Sequence, residues 1–543
     1  MLTHMKSAVF GLAALTLCVT VGACRKKDRP NVLGLIPEDA PLVAWMPEPK
    51  ASLDGARAFL AVFEQENLGD QLKTLRFEWK KQYGVDPLDE KTIAAVGLDL
   101  TKPWALAYGR ASNTPLYFLA AHDPGTFLAY FKKVMADGWL ITEAQTKSAP
   151  SGKIYVFAQP FGNATIEVAA LRLGDDHVAI ASGSQASAAL AAWPSADAFS
   201  GKDGAPKSFQ KAWKRAESDG SAAGAALRVV AKDSAQVLPA ILAQRFAKAE
   251  VRAALSLKAN RAELFTTLLG AGDVRPLLAQ EKTFAPGVGL PDKPVMVARS
   301  QLNANELFAI ATSLRLLQPL YARAGIDEKR IADLLALGTG AGAFAVELVP
   351  QALKNAGGRT ALDRLRVLLD AFPVTAIAEL KQAEAFDAAL GTLEGELKQR
   401  GFAATLDKSN KLAPVLKTAS ITPGSQVSLS RRANTLIYGI GPGAFSSAVD
   451  RVTQQKGMTR AHPVFGPLFE PYTSGMIVDV AALVTSASVL PEIIFGDQNA
   501  LMKSFFGSTL KSFAHFQQAG ATLGLEGPAY EPHPVLRLWL TTK

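Results

Sequence analysis

Between residues 36 and 525 the chain runs through one order of short segments and then runs through it again, and no other feature restricts its fold as much. Self-similarity at a long period means that one arrangement of strands and helices has to serve both stretches. Ile36-Pro37-Glu38-Asp39-Ala40-Pro41-Leu42-Val43-Ala44 is echoed by Leu290-Pro291-Asp292-Lys293-Pro294-Val295-Met296-Val297-Ala298, each a proline-punctuated turn entering a strand. An amphipathic stretch follows in each. Leu72, Leu75, Trp79 and Tyr83 have the spacing of one buried helix face, and Leu314, Leu317 and Tyr321 stand in the counterpart.

Both stretches then stop at a glycine followed by an apolar residue and an aspartate. Gly84-Val85-Asp86 leads on to Gly97 and Gly325-Ile326-Asp327 to Gly338, glycine being the usual left-handed terminator of a helix. A strand, a turn and a helix come next: Tyr117 to Ala121 followed by Phe127, against Thr375 to Glu379 followed by Phe386. His177-Val178-Ala179-Ile180 runs into Gly183 as Thr435-Leu436-Ile437-Tyr438 runs into Gly441. The sharpest match pairs Ser234-Ala235-Gln236-Val237-Leu238-Pro239-Ala240-Ile241 with Ser486-Ala487-Ser488-Val489-Leu490-Pro491-Glu492-Ile493, and Leu255-Ser256-Leu257 with Leu523-Gly524-Leu525 closes the series.

Adjacent strands joined by short turns, such as Thr165 to Arg172, Gly174-Asp175-Asp176 and His177 to Ala181, point to antiparallel hairpins. The expected fold is therefore α+β, an internal duplication giving two homologous lobes, residues 35–285 and 286–543, each a mainly antiparallel sheet with helices packed on one face. A doubly wound nucleotide-binding fold would alternate single strands with helices, and that pattern is absent.

Residues 1–23 read differently. Lys6 precedes an apolar run from Ala8 to Ala23, too short for the roughly 20 residues that a membrane-spanning helix needs. The run ends on Val21-Gly22-Ala23-Cys24, which resembles the lipobox of bacterial lipoproteins. That resemblance implies cleavage between Ala23 and Cys24, a diacylglycerol on the Cys24 thiol, an acylated new amino terminus (palmitate among the acyl chains), and a lipid-anchored place in the cell envelope. Two or three acyl chains give lasting attachment where one does not. The chain has two cysteines, and Cys18 would leave with the signal, so Cys24 would be the only thiol of the mature chain and could form no internal disulfide. Arg25 rather than Asp follows it, which leans toward the outer membrane. Met5-Lys6 opens such signals more typically than Met1 does, which leaves the true start at Met1 or Met5.

Residues 24–34 then form a basic tether with Arg25, Lys26, Lys27 and Arg29, a solvated linker or a contact for anionic headgroups. The formal net charge is +9, to which residues 1–23 contribute only Lys6. Those charges are dispersed and form no basic stripe interleaved with aromatics, which argues against nucleic acid.

No catalytic, cofactor-binding or metal-ligating set emerges. The six histidines are scattered, and the chain lacks HExxH, GxSxG, a Walker loop and CxxC. Asp175-Asp176-His177 and His122-Asp123 are the best polar clusters, but the first suits a hairpin turn that tolerates positive φ and the second a helix cap. Gly338-Thr339-Gly340-Ala341-Gly342 has the glycine content of a phosphate loop but follows a helix and precedes a strand, as a helix-terminating turn would. Asn163-Ala164-Thr165 matches a glycosylation sequon only formally. The expected function is that of a non-enzymatic envelope lipoprotein whose folded part interacts with an envelope protein or holds a ligand. A carrier of lipid or another amphiphile is the alternative, and an envelope hydrolase the second alternative. Oligomeric state is left open.

Overall fold

The computed structural model describes residues 32–36, 40–61, 67–108, 114–136, 154–161, 164–191, 225–232, 249–271, 274, 287–303, 312, 329, 332–333, 336–354, 360–399, 401, 403–409, 414–418, 426–484, 513–526 and 533–542. The chain divides into two compact units, Met1–Ala271 with Thr542 and Gly272–Thr541 with Lys543. Cys24, Ala23, the tether to residue 31, the Leu314 segment, Gly325-Ile326-Asp327, Asn163 and both members of the Ser234/Ser486 match lie outside the described residues.

In the first unit the described strands are β1 (Leu42–Met46), β2 (Trp104–Tyr108), β3 (Pro115–Ala120), β4 (Ile154–Phe161), β5 (Ala164–Leu173), β6 (His177–Ser182), β7 (Leu227–Ala231), β8 (Glu250–Lys258) and β9 (Arg261–Leu269). They hydrogen-bond in the order β4-β5-β6-β3-β2-β1-β7-β8-β9, antiparallel at every step. The helices are α1 (Pro49–Ala61), α2 (Asn67–Tyr83), α3 (Glu90–Ala95), α4 (Pro124–Ala136) and α5 (Ala186–Ala191). Trp104, Phe118, Phe157 and Leu171 are buried at the centre of its core. Phe131 of α4 meets Phe157 of β4 edge-on, ring centroids 4.9 Å apart, a geometry that the ring quadrupoles favour.

In the second unit the strands are β10 (Pro294–Ser300), β11 (Gly338–Glu347), β12 (Val374–Leu380), β13 (Ala404–Asp407), β14 (Val415–Thr418), β15 (Val427–Arg432), β16 (Thr435–Ile440), β17 (Ser474–Asp479), β18 (Phe516–Glu526) and β19 (His533–Thr542). The ladder runs β13-β14-β15-β16-β12-β11-β10-β17-β18, again antiparallel throughout. Its helices are α6 (Pro350–Lys354), α7 (Ala361–Ala371), α8 (Ala383–Gln399), α9 (Ala444–Thr453) and α10 (Val480–Val484). Val297, Ile377, Ile437 and Ile477, all on strands, are buried together with Leu290, Phe465 and Leu468.

The expected class, an α+β pair of homologous helix-on-sheet lobes, is corrected by this architecture. Nineteen antiparallel strands dominate the described residues, 42% in strand against 33% in helix, so the protein is strand-built and its helices are a minority. The physical reason is visible in β11. Gly338-Thr339-Gly340-Ala341-Gly342, expected to be a helix-terminating turn, is the first half of that strand, held at its two ends by pairing of Gly338 with Leu380 and of Gly342 with Ala378 and Ser300 despite residues of poor strand propensity. A register shift between Gly338 and Gly342 and a positive φ at Gly340 absorb the irregularity.

Helix α2 holds another difference. It forms where the spacing predicts a helix and ends at Gly84, whose φ is +70°, but Leu75 is 64% exposed, so the expected face is not uniformly buried. Trp79 and Tyr83, one turn apart on that face, pack ring against ring at 4.7 Å.

Candidate functional site

The described cavity of about 480 Å³ lies within the second unit, between the β14-β15-β16 strands and the start of α9. Lys417 and Ser428 of its lining belong to one cross-strand row. Lys417 of β14 stands opposite Ser428 of β15, and Ser428 opposite Gly439 of β16. Opposed residues in antiparallel strands point to the same face, so an ammonium, a hydroxyl and a missing side chain lie side by side.

Gly439 decides how close the helix can come. A Cβ there would sit 2.5 Å from the Phe445 backbone nitrogen and 2.6 Å from its Cα, so only glycine lets the first turn of α9 rest on β16. The chain reaches that position through Gly441-Pro442-Gly443, with φ of +94° at Gly441 and +70° at Gly443. Gly443 is the N-cap residue and brings no side chain to the helix start. The first amide with an intrahelical acceptor is that of Ser447, which donates to the Gly443 carbonyl at 3.0 Å. The amides of Ala444, Phe445 and Ser446 have no acceptor among the described residues, the ordinary condition of an uncapped helix start.

The charged walls are partly committed. Lys417 Nζ lies 3.3 Å from Asp407 Oδ2, and the Asp407 carboxyl is held below the usual aspartate range first by the Ser409 hydroxyl, then by the Ser409 amide and Lys417. Arg431 donates Nε to Asp387 Oδ1 at 2.8 Å and a second bond to Oδ2 at 2.5 Å. That bidentate pairing with Asp387 raises the guanidinium above its ordinary value. Arg432 donates to the Thr453 hydroxyl, and Ser430 donates to the Pro414 carbonyl at 2.8 Å. Ser428 differs: it is 5% exposed, lines the cavity, and its hydroxyl has no hydrogen-bond partner among the described residues.

The polar clusters singled out in the sequence fall in the first unit, and the structure brings them together. Ala120 pairs with His177, and the Ala121 amide donates to the Asp176 carbonyl at 2.9 Å, which sets the His122-Asp123 turn beside the Asp176-His177 turn. Asp176 accepts from Lys102 Nζ at 3.0 Å and lies 3.2 Å from His177 Nδ1. Asp123 takes the capping role expected of it, its two carboxylate oxygens accepting from the Thr126 amide at 3.0 Å and the Thr126 hydroxyl at 2.6 Å. Those bonds, with the hydroxyl first, hold its carboxyl below the usual value. Gly174-Asp175-Asp176 is the expected hairpin turn, but not for the expected reason. None of the three has positive φ, and Gly174 is needed because the His177 ring occupies the space its Cβ would take.

Among the described residues no three His, Cys, Asp or Glu side chains gather as metal ligands. Sequence reasoning missed Lys417, Ser428 and Gly439 as a group. The sequence marks only Gly441, as the counterpart of Gly183 after a strand, and nothing local announces which strands lie beneath the helix that follows.

No protein-family model matches the chain, and no curated protein matches it either. Two solved structures bear a likeness to the chain. Crystal form I of TP0453 is 14% identical with a TM-score of 0.23, covering 48% of this chain and 83% of that one. Crystal form IV of TP0453 is 13% identical with a TM-score of 0.24, covering 45% and 81%. At such scores the likeness carries no inference about fold or function.

Proposed function

We propose that this protein is a lipid-anchored bacterial envelope protein whose folded part acts by holding a ligand or partner. One observation carries the reading: the Val21-Gly22-Ala23-Cys24 end of a short apolar leader, with Cys24 the only thiol left after cleavage. The basic residues from Arg25 to Arg29 suit a tether beside anionic headgroups. No helix among the described residues is long and apolar enough to cross a membrane. The cavity under α9 supports the holding role, since its lining brings the Ser428 hydroxyl, the Lys417 ammonium and the first turn of α9 to one space. That polar lining suits a small polar ligand better than an acyl chain.

Metabolic labelling with palmitate tests the anchor. The wild-type chain incorporates label and fractionates with membranes, whereas Cys24→Ser loses both. Undiminished labelling of the variant would refute the anchor.

A further inference from the structure

We infer that the cavity beneath α9 is a binding site for a small anion presenting carboxylate or phosphate oxygens. This rests on the ligand-holding half of the reading above and is independent of the anchor. Three observations converge on it. Orphan amides at a helix start carry partial positive charge and attract anions, and the ten-residue α9 is capped by no side chain. Directly beneath, Ser428 is 5% exposed, lines the same space, and its hydroxyl makes no hydrogen bond among the described residues, so it is open to a ligand that accepts or donates there. Lys417 closes the row from the other side with an ammonium, held 3.3 Å from Asp407 but still partly exposed.

The first unit shows what such a helix start takes when its own chain provides it. There β5 and β6 form a hairpin, Gly183 follows with φ of +119°, and α5 begins. The Glu167 carboxylate of β5 accepts from the Ser187 amide in the first turn of α5, and its other oxygen accepts from the Ser187 hydroxyl at 2.7 Å. In the second unit the hairpin of β15 and β16 runs into Gly441 and α9, no described carboxylate caps the helix, and a cavity stands at that place. The ligand class follows: oxygens of a carboxylate, or of a phosphate with the same charge and acceptor geometry, accepting from the α9 amides and the Ser428 hydroxyl with Lys417 as counter-charge. Asp407, which already pairs with Lys417, and Asp450 both stand on the same lining and disfavour a large or highly charged anion.

Thermal melting of the full mature chain in detergent tests this, with glutarate, inorganic phosphate and neutral glutaramide as probes at constant ionic strength. Glutarate or phosphate should raise the melting temperature saturably and glutaramide should not. Lys417→Met, at a partly exposed position, should weaken the apparent affinity at least tenfold, and Ser428→Asp, which supplies an internal carboxylate, should abolish the response. Equal saturation in the wild type and Lys417→Met would overturn the site. A glutaramide response as strong as that of glutarate would overturn the anion and leave ligand holding intact. Silence toward all three probes would overturn both, with palmitate labelling of Cys24 unaffected by either result.

Discussion

The two hairpin-glycine-helix segments use one backbone device and arrive at opposite ends. In the first unit the row across β6, β5 and β4 is Ala181, Ala170 and Val156, two fully buried alanines and a partly buried valine, and α5 closes over β5 and β6 with Ala186 and Leu190 inside. In the second unit the row across β16, β15 and β14 is Gly439, Ser428 and Lys417, and a cavity remains. Apolar side chains at three cross-strand positions make a core, whereas a glycine, a hydroxyl and an ammonium make a site. The helix starts differ to match: Glu167 serves α5, and only Gly443 precedes α9.

The largest expected effect breaks that contrast at its tightest contact. Gly439→Ala puts a Cβ 2.5 Å from the Phe445 nitrogen and should destabilise the protein by about 1–3 kcal/mol, the usual cost of overpacking. The reverse change in the first unit, Ala181→Gly, should cost only about 0.5–1 kcal/mol, because it loosens a strand without a clash. Denaturant midpoints measure both, and a Gly439→Ala protein as stable as the wild type would show that α9 does not rest on β16.

A smaller effect is expected at the other helix start. Glu167→Gln keeps the shape but removes the charge beside the Ser187 amide, and should cost about 0.5–1 kcal/mol in melting experiments. Combining it with Ser187→Ala should give less than the sum of the two single losses, since both remove one interaction. Strict additivity would mean that the carboxylate does not serve α5.

The smallest effect concerns pH. Burial pushes the Asp176 carboxyl up, but hydrogen bonds and charge from Lys102 and His177 outweigh it, so the net displacement is below the ordinary aspartate value. A carboxyl with a depressed folded-state pKa contributes stability above its unfolded value, near 3.9, and that contribution disappears as pH falls through the folded value. Lys102→Met should therefore melt below the wild type at neutral pH, with the gap closing as pH drops below about 4. A gap unchanged between pH 7 and pH 2 would contradict the assignment.

Much of the local punctuation was legible from residues alone. Gly84 adopts positive φ where α2 stops, Asp123 caps α4, and Gly174-Asp175-Asp176 turns between β5 and β6. Each depends on a residue's own φ, ψ preferences or on a bond reaching two or three positions along the chain. Leu75 and Gly338 were read less well for the opposite reason. Helical spacing puts Leu75 on the same face as Trp79, but only the surrounding elements determine whether that face is covered, and at Leu75 it is not. Glycine and alanine suggest a turn at 338–342, whereas pairing with β10 and β12 makes it a strand. The cavity was not legible, because Lys417, Ser428 and the α9 residues over them meet only through strand pairing and helix packing.

The sequence by itself determined where α2 stops, what caps α4 and where β5 turns into β6, and it supplies the whole basis for the proposed anchor at Cys24. Those features are set within a few residues by backbone conformation, capping and apolar run length. Tertiary structure alone decided that antiparallel strands outweigh helices, and that Lys417, Ser428 and Gly439 form one row beneath α9. Register between strands is fixed by which faces can be buried and by what approaches them. No local propensity encodes the close packing of α9 on β16 that only a glycine at 439 permits.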